Sequence, residues 1–181
     1  MQPPAELRFT AAGRGIDLAQ EGGRLAVAAE ACDYRAAITG SHPMRGGRHF
    51  AECEEPEAVG GGVNLGLAAR GLDLEARSWQ QAAFWGVGSG DGALVHGGGL
   101  AYWAGQQGFG AGDTIGLLLD CDAGTLAVYK NGARLGQAVA PGMKIGGKEV
   151  AGLQGQELCW AVALDGKGDA VRVASKPLPA A

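Results

Sequence analysis

Acids and glycines spaced as if for chemistry stand out first. In "LLLDCDAGTLAVYKNGARLG" (117–136), Asp120 and Asp122 lie two apart ahead of Gly124, which is how the oxygen ligands of an EF-hand calcium loop begin. Such a loop also needs an acid or amide at its fifth position, glycine at its sixth and a bidentate glutamate at its twelfth. Counted from Asp120, those places hold Gly124, Thr125 and Asn131, so the loop fails three times. Strands and turns fit every residue instead. "TIGLLLD" is an apolar run of strand length, "CDAG" offers Asp and Gly for a turn, and "TLAVYK" resumes with strand formers. Asn131-Gly132 is the pair a type I′ hairpin favours, because both central residues need positive φ. The stretch predicts a three-strand meander.

Other motifs fall short in informative ways. "GMKIGGK" (142–148) has the spacing of a phosphate-binding loop, but Glu149 follows where a hydroxyl would meet magnesium, and its carboxylate would repel phosphate. A glycine-rich surface loop is expected there. "GVGSGDG" (86–92) resembles a nucleophile elbow around Ser89, yet Val87 and Asp91 stand where that frame needs glycine, and a dinucleotide loop fails at Asp91 too. It reads as a turn. "AECEEPE" (51–57) clusters Glu52, Glu54, Glu55 and Glu57. Alternate strand residues share a face, so two of these could serve as the carboxylate pair of a glycosidase; a solvated acidic strand end is the other reading. His42, His49 and His96 lack helical or near-neighbour spacing, so they define no metal set. Cys32, Cys53, Cys121 and Cys159 form no C-x-x-C pair and are expected as reduced, mostly buried thiols. No cofactor or metal motif is complete.

The elements that would position these residues are short strands. "RLAVAAE", "YRAAIT", "RHFAECE", "VNLGLAA", "AFWGVG", "ALVHG", "LAYWA", "LCWAVAL" and "AVRVA" recur between turn signals, with "LRFTA" and "IDLAQ" ahead of them. That density of Gly-punctuated strands predicts an antiparallel sandwich or barrel. Only "LEARSWQQAAF" (74–84) has room for a helical turn or two. The 181 residues, 46% apolar, suit one domain with a substantial core. A formal charge of -4 without a Lys/Arg cluster argues against nucleic acid and anionic membrane as partners. No signal-peptide pattern opens the sequence and no apolar run is long enough to span a bilayer, so an intracellular, cytoplasmic protein is expected.

In their order, these motifs resemble the SPRY domain family over about residues 24–175. The resemblance is carried by "PMRGGRHFAE" (43–52), "VNLGLAA", "FWGVGSGDGALVHGG" (84–98), "FGAGDTIGLLLDCDAGTLAVYKNGARLG" (109–136) and "LCWAVALDGKGDAVRV". Gly112-Asp113, the apolar strand, the Asp-x-Gly turn and Lys-Asn-Gly in sequence are its most specific part. Trp160 stands where the family commonly has proline, and "AVGGGVN" (58–64) is unusually rich in glycine.

The resemblance implies a bent all-β sandwich of two antiparallel sheets filling residues 1–181 as a single domain, with 1–6 and 176–181 frayed. It implies no catalysis and no cofactor, but binding of a protein or peptide through loops at one end of the sandwich, as an adaptor or a subunit of a larger assembly. Carried onto this sequence, those loops supply Arg45, then Arg70, Asp73, Arg77 and Trp79, then Tyr102 and Trp103, then Asp165 and Lys167. Trp85 and Trp160, inside apolar strands, are expected in the core. Trp79 and Trp103, in polar surroundings, are either anchors of a binding patch or lids over the core. The competing function is a sandwich lectin or glycoside hydrolase using Glu52, Glu54 or Glu55.

Overall fold

The computed structural model describes residues 5–56, 62–150 and 152–180. Glu57, much of the glycine-rich 58–64 stretch, and the extreme ends 1–4 and 181 therefore lie outside the described residues. In chain order the strands are β1 (Ala11–Ala12), β2 (Ile16–Asp17), β3 (Leu25–Ala28), β4 (Arg35–Ile38), β5 (Arg48–Glu54), β6 (Val63–Ala69), β7 (Phe84–Gly88) and β8 (Leu94–His96). They continue with β9 (Gly99–Ala101), β10 (Thr114–Asp120), β11 (Thr125–Lys130), β12 (Ala133–Val139), β13 (Lys144–Ile145), β14 (Lys148–Glu149), β15 (Leu158–Leu164) and β16 (Ala170–Ser175).

Two seven-stranded antiparallel sheets form, in the orders β1-β4-β15-β6-β7-β8-β9 and β12-β11-β10-β5-β16-β3-β2. Period-two alternation explains how they face each other. Val63, Leu65 and Leu67 of β6, with Trp85, Val87, Trp160 and Val162, point inward from the first sheet. Ile115, Leu117 and Leu119 of β10, with Cys53, Leu126, Val128, Val171 and Val173, meet them from the second. The intervening residues line the outer faces. Gly66 is required at its place, since a Cβ there would fall 1.8 Å from the Trp85 carbonyl oxygen on the neighbouring strand.

The meander is formed as expected: β10 pairs β11, and β11 pairs β12 across Asn131-Gly132, with φ of 51° and 84°. Within and just past 142–148, where a plain loop was expected, residues 144–149 form a hairpin, β13–β14, turning on Gly146-Gly147. "LRFTA" contributes only Ala11 to a strand, although Leu7 and Phe9 are buried in the core. A single 3₁₀ turn, Ser78–Gln80, occupies the 74–84 stretch. The tail 176–180 has no strand but is held on the second sheet, Lys176 N donating to Phe50 O at 3.2 Å. No helix among the described residues is long and apolar enough to cross a membrane.

Candidate partner-binding site

Leaving the second sheet after β3, the chain enters the first through a tight turn at Cys32–Arg35, closed by Arg35 N donating to Cys32 O at 3.0 Å. Its two central residues, Asp33 and Tyr34, have φ of 49° and 60°. A tyrosine in that region costs roughly 1–2 kcal/mol relative to a right-handed conformation. The strain is held in place by neighbours: Cys32 N donates to Asp165 O at 2.7 Å, and Ser78 donates through both N and Oγ to Tyr34 O, at 3.0 and 2.8 Å. Arg77 Nε donates to Asp33 Oδ2 at 2.8 Å.

The turn aims Tyr34 over the outer face of the first sheet, into a pocket of about 300 Å³ lined by Tyr34, Asn64, Trp79, Val95 and Leu100. Its floor is small and apolar, because Ala68, Ala161 and Ala163 stand on the same face beside Phe84 and Val95. Asn64 lies among them. The residue is only 5% exposed and its amide makes no hydrogen bond to a described residue, but the amide atoms still reach the pocket, Glu55 Oε1 being the sealed side-chain polar atom without a partner among the described residues. The Tyr34 hydroxyl is also without a partner there. Burial first, then the charges of Asp165, Asp169 and Asp33, pushes the Tyr34 pKa up, so the hydroxyl remains a donor at neutral pH. Leu100, 55% exposed, stands at the mouth. The arrangement can hold an apolar group while offering one donor and one amide to a polar group beside it.

Of the residues expected at one end of the sandwich, the structure gathers only some. Trp79 is half-buried and lines the pocket, with Arg77 beside it on Asp33. Asp165 and exposed Lys167 follow β15 at the same end. Tyr102, 72% exposed, follows β9. Arg45 and Arg70 belong elsewhere: both pair with Glu157, at 3.0 and 3.4 Å. Strand register is the reason, since Arg70 follows Ala69, which pairs Leu158, whereas Asp165 follows Leu164, which pairs Val63. A seven-residue strand, roughly 20 Å long, separates the two ends. Asp73 serves a local turn, accepting from Glu75 N at 2.9 Å.

Trp103 corrects the expectation of a polar loop environment. It is 7% exposed within the core, and its Nε1 donates to Gly92 O at 2.7 Å. The polar "AGQQG" that follows it is spent on hydrogen bonding, Gln106 Oε1 accepting from Trp103 N and Gln106 Nε2 donating to Asp91 O. Trp85 and Trp160 are buried as expected. Sequence reasoning passed over Tyr34, Asn64, Val95 and Leu100. Asn64 carried a usable signal, being the one polar residue in the apolar "VNLGLAA".

Within the described part of the acidic stretch, Glu52 and Glu54 do not face each other across a cleft. Glu52 and Glu54 lie side by side on the outer face of β5, with buried Cys53 between them; Glu52 is 3.9 Å from Lys176 and Glu54 3.4 Å from Arg172. Arg172 also takes Glu21 at 2.7 Å, so this is an ion-pair ladder. Asp120 Oδ1 accepts from Asp122 N and Ala123 N, which makes it a turn residue. Ser89 Oγ accepts from Val63 N. Cys32, Cys53, Cys121 and Cys159 are free thiols, and burial pushes Cys53 up to about 12 and Cys159 up to about 11, which leaves both unreactive at neutral pH.

Solved structures share this architecture along nearly its whole length. The SPRY domain of human HERC1 superposes with a TM-score of 0.70 at 17% identity, over 91% of this chain and 99% of that one. The fold is that of the SPRY domains. The TRIM65 PSpry domain matches with a TM-score of 0.63 at 16% identity, covering 94% of this chain and 90% of its own. A human SPRY domain gives 0.60 at 17% identity, over 89% and 95%. No family model and no curated protein matches the chain.

Proposed function

We propose that this SPRY-fold chain is a non-catalytic protein-interaction module that holds a short segment of a partner protein in the Tyr34–Asn64–Trp79 pocket, acting as an intracellular adaptor or as a subunit of a larger assembly. The observation that carries the reading is Asn64. Its amide makes no hydrogen bond to a described residue and opens onto the pocket, so it can both donate to and accept from a partner's backbone over an apolar floor. The strained Tyr34 points the same way, because backbone strain held by surrounding bonds collects at ligand clamps. The partner's apolar side chain enters between Trp79, Val95 and Leu100. Its neighbouring backbone or amide group bonds Asn64 and the Tyr34 hydroxyl. Asp165, Lys167 and Tyr102 form the rim, and Arg77, already paired with Asp33, fixes the turn more than it grips the ligand. The ion-paired Glu52 and Glu54 give the hydrolase alternative no comparable support.

The test is selection from a displayed library of random peptides with the full chain as bait. Enrichment of a short motif with one apolar anchor is expected, and it should vanish with Asn64→Leu. Enrichment of nothing, or of the same motif by both proteins, would remove the pocket from the function.

A further inference from the structure

The outer face of the second sheet carries a groove of its own. Phe50, Leu118 and Tyr129 point outward there, Phe50 and Tyr129 meeting edge to face with centroids 5.5 Å apart. The chain's tail already lies along it. Lys176 is tied to the Phe50 carbonyl, Leu178 lines a hollow of about 220 Å³ beside Phe50 and Arg48, and Pro179 and Ala180 line a cleft of about 450 Å³. That cleft is completed by Arg48, Leu118, Tyr129 and Arg134. Proline lacks a backbone N–H, so an extended Pro-Leu-Pro segment can lie on rings and aliphatic groups with few donors left unsatisfied.

Charge distinguishes the cleft further. Arg8, Arg24, Arg35, Arg45, Arg70, Arg77 and Arg172 each pair with a carboxylate. Arg14, Arg48 and Arg134 have no such ion pair among the described residues; Arg14 lies elsewhere, whereas Arg48, across the strand pair from Asp120, and Arg134 both line the same cleft. In a chain of net charge -4, two uncompensated guanidiniums beside an aromatic ring make a local site for a carboxylate.

We infer that this groove is a second docking site, which takes an extended proline-containing segment of a partner protein followed by acidic residues. Its prolines replace residues 177–180 against Tyr129, and its carboxylates engage Arg48 and Arg134. The tail is thus an internal competitor, and the two sites, on outer faces of opposite sheets, let one domain join two partners.

The probe is a fluorescent peptide, Pro-Leu-Pro-Glu-Glu with blocked ends, titrated against the full chain by anisotropy. Binding is expected to weaken at least about tenfold in Arg48→Ala/Arg134→Ala and to fall steeply with added salt, as charge-assisted contacts require. Leu178→Ser, which loosens the tail, should tighten binding several-fold, roughly in proportion to the lost competition. Asn64→Leu should leave it unchanged, which keeps this site separable from the pocket on the first sheet. The inference is overturned by equal binding to the arginine variant, or by no binding even to Leu178→Ser. It is overturned equally by concentration-dependent dimerisation that Leu178→Ser abolishes, since the occupant would then be the tail of a second copy.

Discussion

Asn131 reaches from the tip of the β11–β12 hairpin to Asp113, its Nδ2 donating to Asp113 Oδ1 at 2.9 Å, while Thr114 N donates to Asn131 Oδ1 at 2.9 Å. A two-residue turn is thereby fastened to the start of β10, and the hydrogen bond from Asn131 is the main cause holding the Asp113 carboxyl below its usual pKa. Two substitutions separate the turn from the clamp. Gly132→Val forces a β-branched residue to φ of 84° with open space around it, so the loss, roughly 1–3 kcal/mol, is backbone strain alone. Asn131→Gly keeps the turn and removes the clamp, costing about 1–2 kcal/mol. Urea denaturation measures both, and an unperturbed Gly132→Val would mean the turn is not type I′.

The tryptophans should divide by depth. Trp103→Ala opens a cavity in the core and orphans the Gly92 carbonyl, and should cost ~3–5 kcal/mol, as should Trp85→Ala. Trp79, half-buried over the outer face, should lose only about 1–2 kcal/mol and remain soluble. Thermal melts of the three variants decide this, and a mild Trp103→Ala would contradict its place in the core.

Stability should also carry a signature of Glu55. One of its carboxylate oxygens is buried without a hydrogen-bond partner, and burial first, then Asp169 and Asp113, raises its pKa to about 7. The folded pKa lies above the unfolded one, so the native state keeps a proton that the unfolded chain releases. This contribution is complete below about pH 4.5 and is lost as pH rises through about 7. His96 works in the opposite sense, because burial lowers its pKa and its contribution disappears as pH falls. The difference between wild type and Glu55→Gln isolates the carboxyl. The two should be equally stable near about pH 4.5, and the variant more stable by about 1 kcal/mol near about pH 8, a figure reduced for the group's partial exposure. A difference that does not change with pH would show that Glu55 is solvated.

Much of the sandwich was legible because strand signals are local. Alternation in "TIGLLLD" and "LCWAVAL", and the Asn-Gly turn, each depend on neighbours in sequence. What was not legible depends on register. Arg45 and Arg70 look like members of one loop cluster until Ala69↔Leu158 pairing puts them at the other end of the sheet. Trp103 looks exposed because its following glutamines are polar, but Gln106 is used to cap the loop that buries the ring. The pocket itself draws Tyr34, Asn64, Trp79 and Leu100 from four segments, and no local pattern joins them.

Tyr34 offers a test in which function and stability part. Tyr34→Asn places a residue that tolerates positive φ where a strained one stood, so relief of strain offsets the lost ring, and stability should stay within about 1 kcal/mol. Partner binding should fall sharply. A variant that both unfolds readily and binds fully would mean that Tyr34 is there for packing.

The decisive measurement is a calorimetric titration of the selected peptide into wild type and Asn64→Leu. Leucine has nearly the shape of asparagine, and the amide it replaces makes no hydrogen bond to a described residue, so the variant should stay within about 1 kcal/mol of wild type in stability. Its affinity should nonetheless be lower by at least ~2 kcal/mol, about 30-fold. Equal affinity in the two proteins would show that the unpartnered amide beneath Tyr34 and Trp79 receives no ligand.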